Sequence, residues 1–256
     1  MPTKEQDHLK IFSNFINKNH LLDNTIENYR TQFQKTGYVK FDSILSDGFF
    51  YYLQKIVLKL QNFAIQKNFK MEEYQSPRKM SVLGGDLVTQ HHPELLVIYF
   101  HYQLRNFLEK ISKKKIFDCL HPQEFMVINY LNGPGQTHGW HLDDPELALV
   151  ICIEHPISPE QEGLLEFVPN FSKFQELYPE EKNSSNIAEF ARKDRKLFKK
   201  SFDKQNQAYL FAANSHFHRV TPLKNKDSKR IVINFAFSTT MKNIGEYGKT
   251  ANKLYK

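Results

Sequence analysis

The chain is predicted to fold as α+β: N-terminal helices buttressing an antiparallel double-sheet barrel. Two observations predict it. Apolar residues in the first ~70 positions recur with a helical period, interrupted by one short strand. From Glu124 onward the texture changes to short strand-like runs separated by turn signals.

Taken in order, residues 36–41 (Thr-Gly-Tyr-Val-Lys-Phe) read as that first short strand. Asp42 or Ser43 can cap the helix that follows, to about Phe63. Pro93 suits the first turn of a further helix running to about Ile111. Residues 125–130 are strand-like, and Asn132-Gly133-Pro134-Gly135 marks a turn. Apolar strands are expected at 147–153 and at 164–168, the latter alternating around Glu166, with more at 208–212, 216–221 and 230–238. A polar, charged insertion between Pro169 and Gln207 is expected to be helical. These elements make one domain over 1–256: a mainly helical buttress at 1–120, a barrel core at 121–240 with its insertion at 170–206, and a tail at 241–256.

Composition restricts the functional classes. With 40% hydrophobic residues, 25% charged residues and 22 phenylalanines, the chain can fill a sizeable core. No apolar run approaches the ~18–20 residues that span a bilayer, so no membrane role is expected. The first residues lack the basic-then-apolar layout of a secretory signal, and two cysteines are too few for a disulfide framework. A reducing, cytoplasmic location is expected. The net charge of +7 raises the question of nucleic acid. Its lysines are spread along the chain, which reads as a solvated basic surface and makes a nucleic-acid partner the lesser reading.

The stretch QTHGWHLDDPEL (136–147) holds two histidines, two aspartates and the single tryptophan. In an extended chain, residues i and i+2 face the same side, so His141 and Asp143 can reach one ion. A histidine two strands further on would complete the two-histidine, one-carboxylate arrangement that binds Fe(II) with positions left open. His216 and His218 share a face, and either can supply it. If the turn at 222–227 closes a symmetrical hairpin about Lys224, His218 lies opposite Arg230, six residues from the centre on each side. A guanidinium there suits a carboxylate ligand. Along the last strand, Ile231, Ile233, Phe235 and Phe237 take the buttress face. Arg230, Val232, Asn234, Ala236 and Ser238 take the other, small and polar as a lumen should be, which makes Asn234 a candidate substrate contact.

The joint pattern of His141-Leu142-Asp143, His218-Arg219-Val220-Thr221-Pro222 and Arg230 resembles the Fe(II)/2-oxoglutarate-dependent oxygenases. It is more similar to the branch that hydroxylates or chlorinates free amino acids, lysine above all. Pro77-Arg78, Glu124, His138, Asp144, Glu166-Phe167-Val168-Pro169-Asn170 and Asn234 carry that closer likeness, over roughly residues 70–240.

The resemblance implies a double-stranded β-helix core of the jelly-roll, cupin-like kind, with Fe(II), 2-oxoglutarate and O2 as cofactor and cosubstrates. It implies His141, Asp143 and His218 as iron ligands, selecting His218 over His216. Arg230 would hold the distal carboxylate of 2-oxoglutarate. Arg78 and His138 would meet the substrate carboxylate, and Glu124, Asp144 and Asn234 its amino groups. A carboxylate at 143 implies hydroxylation, because the chlorinating relatives carry a small residue there. Ala236 stands where lysine-acting relatives carry a hydroxyl, and Tyr247 and Tyr255 are candidates for a C-terminal aromatic contact. Ornithine, arginine or another amino acid therefore stands beside lysine. Two competing readings are a nucleic-acid-acting oxygenase and a jelly-roll protein that binds a metal or a sugar without turnover.

Overall fold

The computed structural model describes residues 12, 14–72, 74–179, 198–247 and 250–255. Helix α1 (Asp23–Thr36) ends at Gly37, whose left-handed φ of 64° lets its N–H reach Phe33 O. A Cβ at Gly37 would lie 2.4 Å from His216 Nε2, so a turn and a close approach both call for glycine. Strand β1 (Tyr38–Phe41) follows, then helix α2 (Asp47–Leu60). That helix starts later than Asp42 or Ser43, because Ser43 takes a left-handed φ of 48° and the chain turns before entering it. The helix expected from Pro93 is broken into a short turn, α4 (Leu96–Phe100) and α5 (Tyr102–Ser112), after α3 (Gly85–His91). The break is at His101, which is extended and accepts from Gln103 N to cap α5.

The strands are β2 (Ile65–Lys70), β3 (Pro77–Leu83), β4 (Phe117–Asp118), β5 (Met126–Asn132), β6 (Thr137–His141), β7 (Leu147–Glu154), β8 (Leu165–Val168), β9 (Lys199–Ser201), β10 (Ala208–Phe211), β11 (Phe217–Val220) and β12 (Lys229–Ser238). All pair antiparallel in one curled sheet, ordered β1-β10-β7-β12-β5-β3-β6-β11-β8-β9, with β2 on β3 and β4 on β12. The curl comes from β3. One end pairs with β5 (Ser81 with Tyr130), while the other pairs with β6 (Arg78 with His138). This folds the sheet into the two facing layers of a double-stranded β-helix. The expectation of an α+β double-sheet barrel is met.

Strand β12 packs Ile231, Ile233, Phe235 and Phe237 into one core with Leu53, Val57 and Phe107 of the helices, as its alternation predicts. The opposite face looks into the barrel. The predicted hairpin is not formed. His218 pairs with His141 and Phe167, whereas Arg230 pairs with Leu131. Buried along nearly its whole length, β12 satisfies its backbone on both edges, between β7 and β5. The connecting segment therefore crosses from one layer to the other, held by Gly135 N–Leu223 O and Gly133 N–Ser228 O bonds.

The insertion contributes α6 (Phe171–Leu177) and β9, so it is not helical throughout, and 180–197 lies outside the described residues. The tail contributes α7 (Thr250–Tyr255). Among the described residues, no helix is long and apolar enough to cross a membrane.

Candidate active site

Strand β6 ends at His141, and Asp143 follows where the backbone turns, its N–H donating to Ala213 O. Register sets His218 of β11 directly opposite His141. The ring centroids of the two histidines are 4.1 Å apart. Asp143 Oδ1 lies 3.3 Å from His141 Nε2 and 3.8 Å from His218 Nε2. One ligand atom from each of the three falls within 4.8 Å of the others.

The second nitrogen of each imidazole is tied down. His141 Nδ1 donates to Gly139 O at 2.8 Å, and His218 Nδ1 to His216 O at 2.8 Å. This tautomer turns Nε2 of each ring toward Asp143, as metal-binding histidines require. Burial, then the neighbouring His141, holds His218 down at about 3. Burial opposes ionisation of Asp143, but His218, His141 and Arg78 outweigh it and hold the carboxyl below its usual range. A neutral imidazole at His218 and an ionised carboxylate at Asp143 are protonation states that suit ligation of a cation. His216 is excluded from the group because its Nε2 donates to Thr36 O at 2.7 Å, locking the ring onto the buttress.

One cavity gathers most of the other candidates. Its walls include Glu124, His138, Asp144, Arg230 and Asn234 beside His141, Asp143 and His218, with Ala148, Val150, Leu165 and Val232 as apolar surface. His138 stacks on His141 with centroids 4.1 Å apart. Its Nε2, Glu124 Oε2, Asn234 Oδ1 and Arg230 Nε are buried without hydrogen-bond partners. Unsatisfied polar atoms of this kind are costly unless a ligand completes them. The donor set thus fits a divalent cation at His141, Asp143 and His218 and a carboxylate at Arg230.

Arg78 is 1% exposed and does not line the cavity. Its Nη1 donates to Ser76 Oγ and Gly139 O, while Nε and Nη2 lack partners. Burial lowers its guanidinium to about 10.

Gly139 is the hinge of this region. Its carbonyl accepts from both His141 and Arg78, and a Cβ there would sit 2.6 Å from Pro77 O of β3. Gly139→Ala is expected to destabilise the protein by roughly 1–3 kcal/mol, as overpacking does. Thermal unfolding with and without Fe(II) reads it, and the metal-induced stabilisation should shrink as well.

Sequence reasoning missed Asn129, Tyr209 and Asp203. The first two line the cavity, and Asn129 Oδ1 is another buried, unpartnered acceptor. The alternation of β5, which puts Val127, Asn129 and Leu131 on one face, could have found Asn129. Tyr255 was open as a candidate and lines the cavity together with Leu254. Tyr247 packs with Cys119 and Ala236 in a separate cluster.

Fold and site together define a double-stranded β-helix whose interior carries a two-histidine, one-carboxylate group that fits a divalent cation, with a buried guanidinium that fits a carboxylate ligand. The chain belongs to the Halogenase D family (HalD), which it matches over residues 21–255. Solved structures of similar fold include the epimerase SnoN in complex with Fe3+, alpha ketoglutarate and nogalamycin RO. It is 10% identical with a TM-score of 0.57, and the match covers 83% of this chain and 83% of that one. EctD from S. alaskensis with bound Fe is 15% identical, covering 84% and 78%, with a TM-score of 0.57. AviO1 from Streptomyces viridochromogenes Tue57 is 13% identical, covering 85% and 96%, with a TM-score of 0.58. No curated protein matches the chain.

Proposed function

We propose that the chain is a hydroxylase of a free amino acid, lysine or another basic one, dependent on Fe(II) and 2-oxoglutarate. The observation that carries this reading is the sorting of charge in a single cavity. Arg230 lies on its wall, the His141–Asp143–His218 group holds one side, and Glu124, Asp144 and Asn234 present acceptors. A basic amino acid has a carboxylate and two ammonium groups, and such a wall is complementary to it. His141, Asp143 and His218 would hold iron, and Arg230 the distal carboxylate of 2-oxoglutarate. His138, with Arg78 behind it, would meet the substrate carboxylate, and Glu124, Asp144 and Asn234 its ammonium groups. When bound, iron would activate O2, whose four-electron reduction is shared between 2-oxoglutarate, oxidised to succinate and carbon dioxide, and the substrate C–H, which takes the other oxygen atom. The chain's own residues orient that C–H and exclude water. Cys119 and Cys152 are buried free thiols, which fits a cytoplasmic location.

A second reading, halogenation, is favoured by the family match. Against it stands Asp143, a carboxylate that would take the coordination place a halide needs.

Anaerobic reconstitution with Fe(II), 2-oxoglutarate and chloride, followed by oxygen, tests both across a panel of free amino acids. Succinate together with a product carrying one added oxygen is expected, with the basic amino acids most active. A chlorinated product would favour the second reading. Succinate formed with single-stranded DNA and with no amino acid would overturn the first.

A further inference from the structure

Asp203 leads into β10 from the end of the polar insertion. Its side chain and that of Arg230 are each 2% exposed. Asp203 Oδ1 accepts from Ser201 Oγ at 2.9 Å and faces Lys40 Nζ of β1 at 3.3 Å. Asp203 Oδ2 has no hydrogen-bond partner and faces Arg230 Nη2 across 4.0 Å, beyond hydrogen-bond reach. Arg230 is held only loosely on this side, with Tyr209 Oη 3.5 Å from Nη2 and Nε unpartnered.

Three further polar groups of this nest carry no charge near neutral pH. Burial and Arg230 hold His155 down at about 4, burial pushes the Cys152 thiol up to about 12, and burial raises the Tyr209 hydroxyl. Among the described residues, the charged side chains in contact here are Arg230, Lys40 and Asp203, with Glu154 acting on the Cys152 thiol from the edge, and Lys40 is partly hydrated at 29% exposure. Arg230 therefore stands between an internal carboxylate and a cavity shaped to take another. Two carboxylates that share one guanidinium in a buried site repel each other.

We propose that Asp203 is an internal competitor of the cosubstrate. Its carboxylate weakens the hold of Arg230 on the distal carboxylate of 2-oxoglutarate, and Lys40 counters it from behind. This rests on the reading of Arg230 given above. Succinate keeps the same distal carboxylate after 2-oxoglutarate loses carbon dioxide, so the competition acts on product release as well. The insertion thereby sets how tightly cosubstrate and product are held.

The test is anaerobic titration of the full-length, Fe(II)-loaded protein with 2-oxoglutarate, followed by the visible charge-transfer absorption, with succinate as competitor. Asp203→Asn keeps the shape and removes the charge. It is expected to tighten both ligands by about tenfold, the scale of one like-charge interaction in a partly buried site. Lys40→Met is expected to loosen both by roughly threefold, reduced because the lysine is partly screened. The double variant should bind both ligands about threefold more tightly than the parent, the product of the two effects.

A merely structural Asp203 would give weaker binding on substitution, so a folded Asp203→Asn protein that binds as well as the parent or worse overturns the proposal. Should that variant not fold, Lys40→Met decides alone, and unchanged or tighter binding there overturns it. Arg230→Met separates the two levels. If 2-oxoglutarate still binds with parent affinity, the reading of Arg230 itself is wrong. If binding is lost in Arg230→Met yet unmoved in Asp203→Asn, only the competitor is wrong.

Discussion

Asp143→Gly is expected to lose hydroxylation by more than about 100-fold, beyond the ~10–100-fold typical of changes outside the ligand shell. The variant removes what is, among the described residues, the only carboxylate within reach of both His141 Nε2 and His218 Nε2. Two buried imbalances follow. The two Nε2 atoms lose the carboxylate they face, and a divalent cation would lose the one charged member of the three-residue group. Fe(II) affinity, read by anaerobic dialysis, should fall in parallel with succinate formation. Adding chloride tells whether the emptied position can be used. Full hydroxylation by the glycine variant would show that Asp143 is not a ligand.

Glu124→Gln should have the next largest effect, and it should depend on pH. Burial is the main cause that raises the Glu124 carboxyl to about 8, aided by the charges of Asp144 and Asp143 and partly offset by Lys242. At pH 7 the substrate-free carboxyl is therefore largely protonated, while an ammonium ligand needs it ionised. kcat/KM for a basic amino acid should rise as pH climbs from 7 through 8, and this dependence should vanish in the glutamine variant. A cation bound at Asp143 shifts the midpoint downward, so iron-loaded protein should show the rise earlier. Above pH 8 the variant should lose roughly 10²–10⁴ in affinity, the equivalent of about 3–5 kcal/mol for breaking a buried pair.

The stability effect has the opposite sense. A folded-state pKa raised above 4.5 contributes stability that is complete below that pH and disappears as pH rises through about 8. Without substrate, Glu124→Gln should therefore unfold at a higher temperature than the parent protein at pH 8.5. A parent protein whose kcat/KM is flat across this range would remove Glu124 from the substrate site.

Much of the barrel was legible because its signals are local. Alternation along residues 231–237 placed the buttress face and the lumen face of β12 correctly, since side chains in a strand change sides at every residue. The i, i+2 spacing of His141 and Asp143 likewise needs no knowledge of the rest of the fold. The β2–β3 hairpin was not seen, because its lysines and asparagine weaken the apolar alternation, although β3 joins the two layers and carries Arg78. The choice of His218 over His216 rested on a resemblance. In the structure its physical ground is the 2.7 Å bond from His216 to Thr36, a contact between residues far apart in the chain.

By itself, then, the order of residues determined the fold class, the lumen face of the last strand and the pairing of an imidazole with a carboxylate at one strand end. These follow from periodicity and short spacing, which act within a few residues. Tertiary structure alone decided that β12 lies between β5 and β7 instead of pairing with β11. Only tertiary structure decided that Tyr255 reaches the cavity and that Asp203 stands behind Arg230. Those outcomes depend on which edges remain to be satisfied once the sheet curls and on which buried charges end up adjacent. No local pattern encodes either, because both arise only when distant segments are packed together.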